Sequence, residues 1–116
     1  MKTSQLDTLS AETCANMNLV HPDYSSLASR IEISNLHKET DEDFMKVIDK
    51  LNNIKDKQGR NASMVHPEVY RVAKENIEKI NKKLDYSRDF AYDFFGFKTL
   101  ERSYLKKIDG KVAERP

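Results

Sequence analysis

The apolar residues between positions 44 and 54 form the strongest periodic pattern in the chain. Phe44 is followed by Val47, Ile48, Leu51 and Ile54, at spacings of three, one, three and three residues. These spacings return to one face of a helix with about 3.6 residues per turn, and they do not fit the two-residue alternation of a strand. The pattern therefore predicts an amphipathic helix within residues 41–53 that packs along a single face.

Three further segments carry weaker helical patterns, at residues 3–18, 22–36 and 67–84. Their apolar positions are Leu6, Leu9, Cys14 and Met17 in the first, Tyr24, Leu27, Ala28, Ile31 and Leu36 in the second, and Val69, Val72, Ala73, Ile77, Ile80 and Leu84 in the third. Pro22 and Pro67 suit first helical turns, where a missing backbone N–H is no loss. The sequence predicts a mainly α fold, a small helical bundle or array.

Short polar side chains mark the expected helix boundaries. Thr3 or Ser4 is the expected cap of the first helix, because a hydroxyl oxygen can accept from a free first-turn amide. His21 and His66 each precede a proline at a helix start, which favours a role beside the cap over catalysis. Residues 55–63 are polar throughout and contain a glycine, which predicts a loop.

The C-terminal part of the chain predicts a short β-hairpin. Asp109 and Gly110 lie between two strand-like runs, residues 103–108 and 111–114. An Asp-Gly pair supplies the positive φ angles that a tight hairpin turn requires. With three glycines and three prolines in 116 residues, a turn-dense all-β fold is disfavoured.

An aromatic segment precedes this hairpin. It contains Phe90, Tyr92, Phe94, Phe95, Phe97 and Tyr104. At helical spacing, Phe90, Phe94, Phe97 and Leu100 could share one face around Gly96. Core packing is the simpler interpretation, and an interface covered by further protein is the alternative.

Composition excludes several classes of function. The chain has 20 Lys and Arg against 19 Asp and Glu, a formal net charge of +1, which argues against nucleic acid as a partner. Its apolar runs are too short for a membrane span, and the N-terminus lacks a signal-peptide pattern. A single cysteine, Cys14, cannot form an internal disulfide, which favours a reducing compartment and a cytoplasmic location.

The residues themselves predict no catalytic centre. Cys14 falls within a helical pattern, where a buried structural thiol is the expected role. The three histidines lack metal-ligand spacing, and with one cysteine a metal site is not expected. Neither a phosphate-binding loop nor a dinucleotide-binding glycine pattern is present. We therefore expect no catalytic residue, cofactor or metal site within the chain.

Several longer strings carry a resemblance to a known family. The most specific are DYSRDF at residues 85–90, FGFKTLERSYL at 95–105 and KIDGKVAERP at 107–116. LDTLSAET at residues 6–13, HPDY at 21–24 and SNLHKET at 34–40 extend it upstream. Together they resemble the N-terminal region of the large (alpha) subunit of class I ribonucleotide reductase, of eukaryotic type. The match is collinear over nearly the whole chain.

The resemblance implies a division into three parts. Residues 1–40 would be the C-terminal half of an ATP-cone, two helices of a small domain that binds ATP or dATP. Residues 41–102 would be a helical linker domain, and 103–116 would begin a β-hairpin leading to a catalytic α/β barrel. Such a division implies a piece of a longer protein, in keeping with a chain that starts in helix-like sequence and stops in a strand-like run.

The resemblance also implies an activity, a regulatory site and partners. The family reduces ribonucleoside diphosphates, and its catalytic cysteines would lie beyond residue 116, so we expect the chain alone to be inactive. Thr3, Asp7 and Lys38 would face the allosteric nucleotide, ATP or dATP. Expected partners are the rest of the large subunit, the small radical-generating subunit and further large subunits in a homo-oligomer.

Two alternatives remain at this point. The aromatic segment and the apolar helix faces would also suit a stand-alone helical protein–protein interaction module. The remaining half of the cone could still bind ATP by itself, although we expect it not to, because most of the family's nucleotide-contacting groups are absent.

Overall fold

The computed structural model describes residues 2–116 as helices with a small hairpin. The elements are α1 (Thr3–Asn16), a 3-10 turn (Met17–Leu19), α2 (Asp23–Glu39), α3 (Phe44–Asn52), α4 (Pro67–Glu75), α5 (Ile77–Lys83), a 3-10 helix (Tyr86–Ala91), α6 (Phe94–Thr99), a π-helical turn (Leu100–Tyr104), β1 (Lys107–Ile108) and β2 (Lys111–Val112). The prediction of a mainly α fold with a C-terminal hairpin is confirmed. No described helix is both long and apolar enough to cross a membrane.

Side-chain caps fix several of the helix starts. His66 precedes α4, and its Nδ1 accepts from the backbone N–H of Glu68 at 3.2 Å. His21 does the same for the Asp23 N–H at 3.1 Å, at the start of α2. These contacts confirm the predicted roles of both histidines beside helix starts, and they require an unprotonated Nδ1.

The predicted cap of α1 is wrong. Lys2 occupies the capping position, and Thr3 is already the first helical residue. The Gln5 side chain reaches back and accepts from the Lys2 N–H at 2.9 Å. The Gln5 side chain, in the first turn, thus satisfies a free backbone N–H at the helix start, and the hydroxyls of Thr3 and Ser4 do not cap the helix.

The long helix predicted over residues 67–84 is two helices. Asn76 separates α4 from α5, with φ −115° and ψ 17°. Its side-chain amide donates to the Val72 carbonyl at 2.9 Å. Asparagine competes with the helical backbone for hydrogen bonds in this way, which explains a break that apolar spacing alone does not reveal.

The tightest helix contact joins α1 and α2 through small side chains. Ala11 on α1 and Ala28 on α2 are fully buried, and Ser29 nearly so. Leu6 and Leu9, predicted to define the buried face of α1, are about half exposed, at 50% and 54%. Small side chains allow the two helix backbones to approach closely, and the larger leucines are turned away from the contact.

The buried face of α2 also differs from the predicted one. Ala28 and Leu36 are buried as predicted, but Leu27 is 46% exposed and Tyr24 and Ile31 are only partly buried. The face that is buried instead includes Ile33. The predicted apolar faces of α1 and α2 are therefore each rotated from the ones the structure buries.

Helix α6 packs against α1 and α2, and the three helices together form the first core. Phe97 is fully buried against Ile33 and Leu36, with Leu105 packed beside them. Phe94 is buried with Ala11 and Ala28, and Cys14 is partly buried in the same group. The prediction of core packing is thus confirmed for two of the aromatic residues.

The other aromatic residues lie outside this core. Phe95 and Tyr104 are each 70% exposed, Tyr92 is 40% exposed and Phe90 is 38% exposed. The face predicted to join Phe90 with Phe94 does not form, because Phe90 belongs to the preceding 3-10 helix. Asp93 separates the two elements and begins α6 by accepting from the Gly96 N–H at 2.6 Å.

A second group of helices lies beside the first. Val47, Ile48 and Leu51 are buried on α3, as their spacing predicted, and Ala73 is buried on α4. The Tyr70 hydroxyl donates to Asp49 at 2.7 Å and ties α4 to α3.

The radius of gyration is 16.4 Å, above the roughly 13 Å of a compact chain of this length. Two small cores side by side account for this extended shape.

The predicted loop and the predicted hairpin turn are both present, but the hairpin strands are shorter than the runs 103–108 and 111–114 that the sequence suggested. Residues 103 and 104 belong instead to the π-helical turn, because the Leu105 N–H still donates back to the Leu100 carbonyl at 2.9 Å. Residues 55–63 form an irregular loop, pinned by a bridge between Lys55 and Asn61. Ile108 pairs with Lys111 across a turn in which Asp109 has φ 51° and Gly110 φ 78°. Aspartate and glycine tolerate this left-handed region better than other residues, which is why this pair makes a tight turn.

A buried ion pair connects α2 to α6. Glu32 is only 4% exposed, and one of its carboxylate oxygens lies 3.2 Å from the Lys98 ammonium. The other, Oε1, accepts no hydrogen bond from any described residue. Burial raises the pKa of the Glu32 carboxyl, and the nearby Lys98 only partly opposes that shift.

Truncating Phe97 tests the first core. Phe97→Ala should lower the free energy of unfolding by about 3–5 kcal/mol, because it empties a fully buried aromatic site. Phe95→Ala is the matched control two positions away, and its 70% exposed ring should cost about 0.5 kcal/mol or less. Urea unfolding followed by circular dichroism measures both. Equal losses for the two variants would contradict this assignment of the core.

The buried Glu32 carboxyl predicts a pH dependence of stability. Its pKa is raised in the folded state, so the folded protein holds this proton more tightly than the unfolded chain does. Stability should therefore fall as pH rises above the usual carboxyl value of 4.5. Glu32→Gln cannot ionise, and its Tm should fall less than that of the wild type between pH 4.5 and neutrality.

Glu101→Gln is the control for this effect. Glu101 contacts the same lysine at 3.3 Å but is partly exposed. Its charge makes only a smaller contribution to the raised pKa of Glu32, for which burial is the largest cause. We therefore expect this variant to keep most of the wild-type loss of Tm with pH. A Tm difference between wild type and Glu32→Gln that stays constant across the range would refute the prediction.

Candidate functional site

Two of the three predicted site residues lie next to each other. The Lys38 ammonium on α2 is 3.9 Å from the Asp7 carboxylate on α1. The two line a shallow depression of about 240 Å³, together with Arg30, Ser34 and Asn35. The fold thus brings together residues that are 31 positions apart in the sequence, through the α1–α2 contact.

Thr3 lies at the edge of this arrangement. It is exposed and begins α1, four residues and about one turn before Asp7. Residues four apart share a helix face, so Thr3 and Asp7 are on the same side of α1. Thr3 does not itself line the depression.

The depression carries groups suited to a polar, anionic ligand. Arg30 and Lys38 supply two cations, and Ser34 and Asn35 supply neutral hydrogen-bonding groups. The Asp7–Lys38 pair is loose, with 70% of the Lys38 side chain exposed. Such a pair contributes little to stability, so the lysine is available to a competing anion.

The residue next to Lys38 has a much firmer contact. His37 Nε2 lies 2.7 Å from Asp89 Oδ2, and the Asp89 side chain is 5% exposed. The His37 ring also meets Tyr86 and Phe90 edge-on, at centroid distances of 6.3 and 5.4 Å. The 3-10 helix that carries Asp89 is thereby joined to the last turn of α2.

Arg115 holds the same turn from a second direction. Its guanidinium donates to the His37 carbonyl at 3.0 Å, to the Thr40 carbonyl at 3.1 Å and to Thr40 Oγ1 at 3.0 Å. It also lies over the Tyr86 ring, 4.7 Å from the centroid. Burial raises the pKa of the Tyr86 hydroxyl, although the Arg115 charge partly opposes this.

These contacts satisfy a helix terminus. The last carbonyls of an α-helix have no partner within the helix, and they carry partial negative charge. A guanidinium presents several donors in a fixed plane, so it can serve two carbonyls at once. Arg115 therefore acts as a cationic cap on α2, although it lies 75 residues beyond Thr40.

A larger depression, of about 540 Å³, lies between α1, α2 and the hairpin. Its lining includes the carboxylates of Glu12, Glu32 and Glu39 and the ammonium groups of Lys98 and Lys111. With both signs of charge present, it favours no particular ligand charge. No group of three or more potential ligand side chains that could hold a metal ion occurs among residues 2–116.

The roles of Asp89 and Arg115 could not be predicted from helical periodicity. The contact from Asp89 to His37 spans 52 residues, and those from Arg115 span 75 and 78. Neither residue belongs to an apolar pattern or to a local capping motif. The only available signal was that each lies in a string carrying the family resemblance.

Comparison with known proteins identifies close relatives over the full chain. The ribonucleoside-diphosphate reductase large chain of Cryptosporidium parvum is 55% identical over 116 residues, all of this chain and 14% of that protein. Large chain 2 of Saccharomyces cerevisiae is 54% identical over 98% of this chain and 13% of its own length. The large subunit of Plasmodium falciparum is 52% identical over the whole chain and 14% of its own length.

The chain thus spans about one seventh of the length of the curated relatives it matches. No protein-family model matches it. These relatives share more than half of their residues with this chain over nearly its whole length, which establishes common ancestry. The chain is therefore homologous, over its whole length, to the N-terminal part of eukaryotic ribonucleoside-diphosphate reductase large subunits.

Proposed function

We propose that the chain is the N-terminal regulatory and structural part of a ribonucleotide reductase large subunit. The complete protein would reduce ribonucleoside diphosphates to deoxyribonucleotides for DNA synthesis, under allosteric control by ATP and dATP. The single observation that carries the proposal is the 50–55% identity with reductase large subunits over the whole chain. The chain itself would be catalytically inactive, because the family's catalytic cysteines would lie beyond residue 116 and its one thiol, Cys14, is a partly buried residue of the first core.

The three predicted parts belong to this proposal. Residues 1–40 would form half of an ATP-cone, 41–102 a helical linker domain, and 103–116 the hairpin that leads to the catalytic barrel. The tight α1–α2 contact supports treating the first part as a pair of helices. The short hairpin at Lys107–Val112 supports a chain that turns toward β structure at this point.

The effector site would include Thr3, Asp7 and Lys38. What supports it is the proximity of Asp7 and Lys38 and the cationic, hydrogen-bonding lining of the depression they share. An ammonium group can pair with nucleotide phosphates, and a carboxylate can accept from a ribose hydroxyl or from a base amino group. Thr3 would contact the nucleotide from the start of α1.

The remaining parts of the proposal concern partners and location. The chain would contact the rest of the large subunit, and the complete protein would work with a small radical-generating subunit and form large-subunit homo-oligomers in the cytoplasm. Exposed Leu6, Leu9 and Phe95 would suit contacts with further protein. A stand-alone interaction module would use the same surface, but the relatives reported above are reductase large subunits and do not favour it.

The decisive experiment uses the complete large subunit. Lys38→Ala should weaken the response of its reductase activity to ATP and dATP, so that higher effector concentrations are needed, while activity at saturating substrate without effector is retained. Lys79→Ala, which removes an exposed lysine from α5, is the matched control and should respond as the wild type does. An unchanged response in Lys38→Ala would refute the effector site, and a complete protein without reductase activity would refute the proposed function.

The isolated chain of 116 residues should not bind nucleotide measurably. Its candidate site offers a shallow depression of about 240 Å³ with an exposed lysine, which is too open to hold ATP firmly. Calorimetric titration with millimolar ATP or dATP should give heats equal to dilution. Saturable heat that disappears in Lys38→Ala would show instead that these two helices suffice for binding.

A further inference from the structure

We infer that Arg115 and Asp89 are positioning residues for the effector site, because they hold the last turn of α2 and so fix the place of Lys38. This inference rests on the proposed function and adds a regulatory connection to it. Neither residue would touch the nucleotide. Both would act through the backbone and side chains of residues 37–40, on the side of the turn away from the depression.

The lysine has no strong contact of its own. Its one ion-pair partner, Asp7, is 3.9 Å away, and the Lys38 side chain is 70% exposed. Lys38 also lies in the last turn of α2, which ends at Glu39. Helix ends fray because their terminal carbonyls lack partners within the helix. The position of Lys38 must therefore be set by contacts that hold the last turn of α2, rather than by contacts of the lysine side chain itself.

Arg115 supplies that restraint on the backbone. It donates to the carbonyls on both sides of Lys38, those of His37 and Thr40, and to the Thr40 hydroxyl. The Thr40 hydroxyl in turn donates to the Leu36 carbonyl at 2.6 Å. Leu36 is buried in the first core, so the turn is fixed at one end by packing and at the other by the guanidinium.

Asp89 supplies the restraint on rotation. Successive residues of a helix point about 100° apart. With the His37 ring held 2.7 Å from the buried Asp89 carboxylate, Lys38 is directed toward α1 and its depression. A rotation of the whole of α2 about its axis would lose that direction even though the helical hydrogen bonds remained.

The two restraints come from different parts of the chain. Asp89 lies on the 3-10 helix and Arg115 follows the hairpin. The Tyr86 ring lies between the two restraints, because it meets the His37 ring that Asp89 holds and also lies under the Arg115 guanidinium. Coupling between sites is reciprocal. A nucleotide that requires Lys38 in this position would therefore also stabilise the hold of Arg115 on α2, and with it the hairpin end of the chain.

A double-mutant cycle in the complete large subunit tests the inference, with equilibrium binding of ATP as the readout. Arg115→Gln should weaken binding by roughly five- to tenfold, within the range of typical coupling. In a Lys38→Ala background the same substitution should add no further loss, because its effect passes through that lysine. Arg102→Gln, at an exposed arginine of the π-helical turn, is the control and should bind as the wild type does.

Milder variants keep the test decisive if Arg115→Gln does not fold. Arg115→Lys keeps the charge but loses the planar fork, and Asp89→Asn keeps an acceptor for His37. Both should fold and show intermediate affinity, with faster amide hydrogen exchange at residues 38–40. Wild-type affinity in both variants would overturn the inference.

Two other outcomes separate the inference from the proposal beneath it. An equal loss of affinity from Arg115→Gln with and without Lys38 would show a general structural role, and this alone would overturn the inference. A wild-type large subunit that does not bind ATP would overturn the proposed effector site, and the inference with it.

Discussion

The close approach of α1 and α2 is the contact on which the other features depend. Ala11 and Ala28 meet with no exposed surface, and this contact allows Phe94 of α6 to cover both helices while Phe97 packs on α2. The same approach places Asp7 beside Lys38. A larger side chain at either alanine would separate the helices, because a close-packed interior has no spare volume to absorb it. Core packing and the candidate site therefore share one origin.

Charge in this molecule is organised by burial. Surface pairs such as Arg71 with Glu68 lie on exposed helix faces, where solvent weakens them. Glu32 and Asp89 are different, because each is almost fully buried and each connects α2 to an element far along the chain. Two carboxylates in the interior thus add polar contacts to the apolar packing that attaches the later helices to α2, and the near-neutral net charge gives no hint of this.

Local physics predicted more of the fold than of the site. The α3 pattern, the proline-started helices and the Asp-Gly turn depend on neighbours within a few residues, so the sequence alone was sufficient for them. The predicted buried faces of α1 and α2 are wrong, because the helices meet through Ala11 and Ala28 and leave Leu6 and Leu9 about half exposed. Large apolar side chains favour leucine as a core residue, but the close approach of two helices depends on small side chains.

Contacts between residues far apart in the sequence could not be predicted from local patterns. Periodicity cannot show that Arg115 caps a helix that ended 76 positions earlier, at Glu39, or that Asp89 pairs with His37. Asn76 shows the same limit at short range, since its side chain breaks a helix that apolar spacing continues through. The three candidate site residues came from family resemblance. The structure places two of them together and leaves their proposed role to experiment.

Gly96 gives the first turn of α6 a constraint on which residues can replace one another. A Cβ added at this position would lie 2.8 Å from Asp93 Oδ1, the atom that accepts from the Gly96 N–H. Any larger residue at 96 must therefore displace the cap, although alanine would otherwise favour the helix by about 1 kcal/mol. The residue tolerated at position 96 therefore depends on the residue at position 93, since a side chain at 96 and the Asp93 cap compete for the same space.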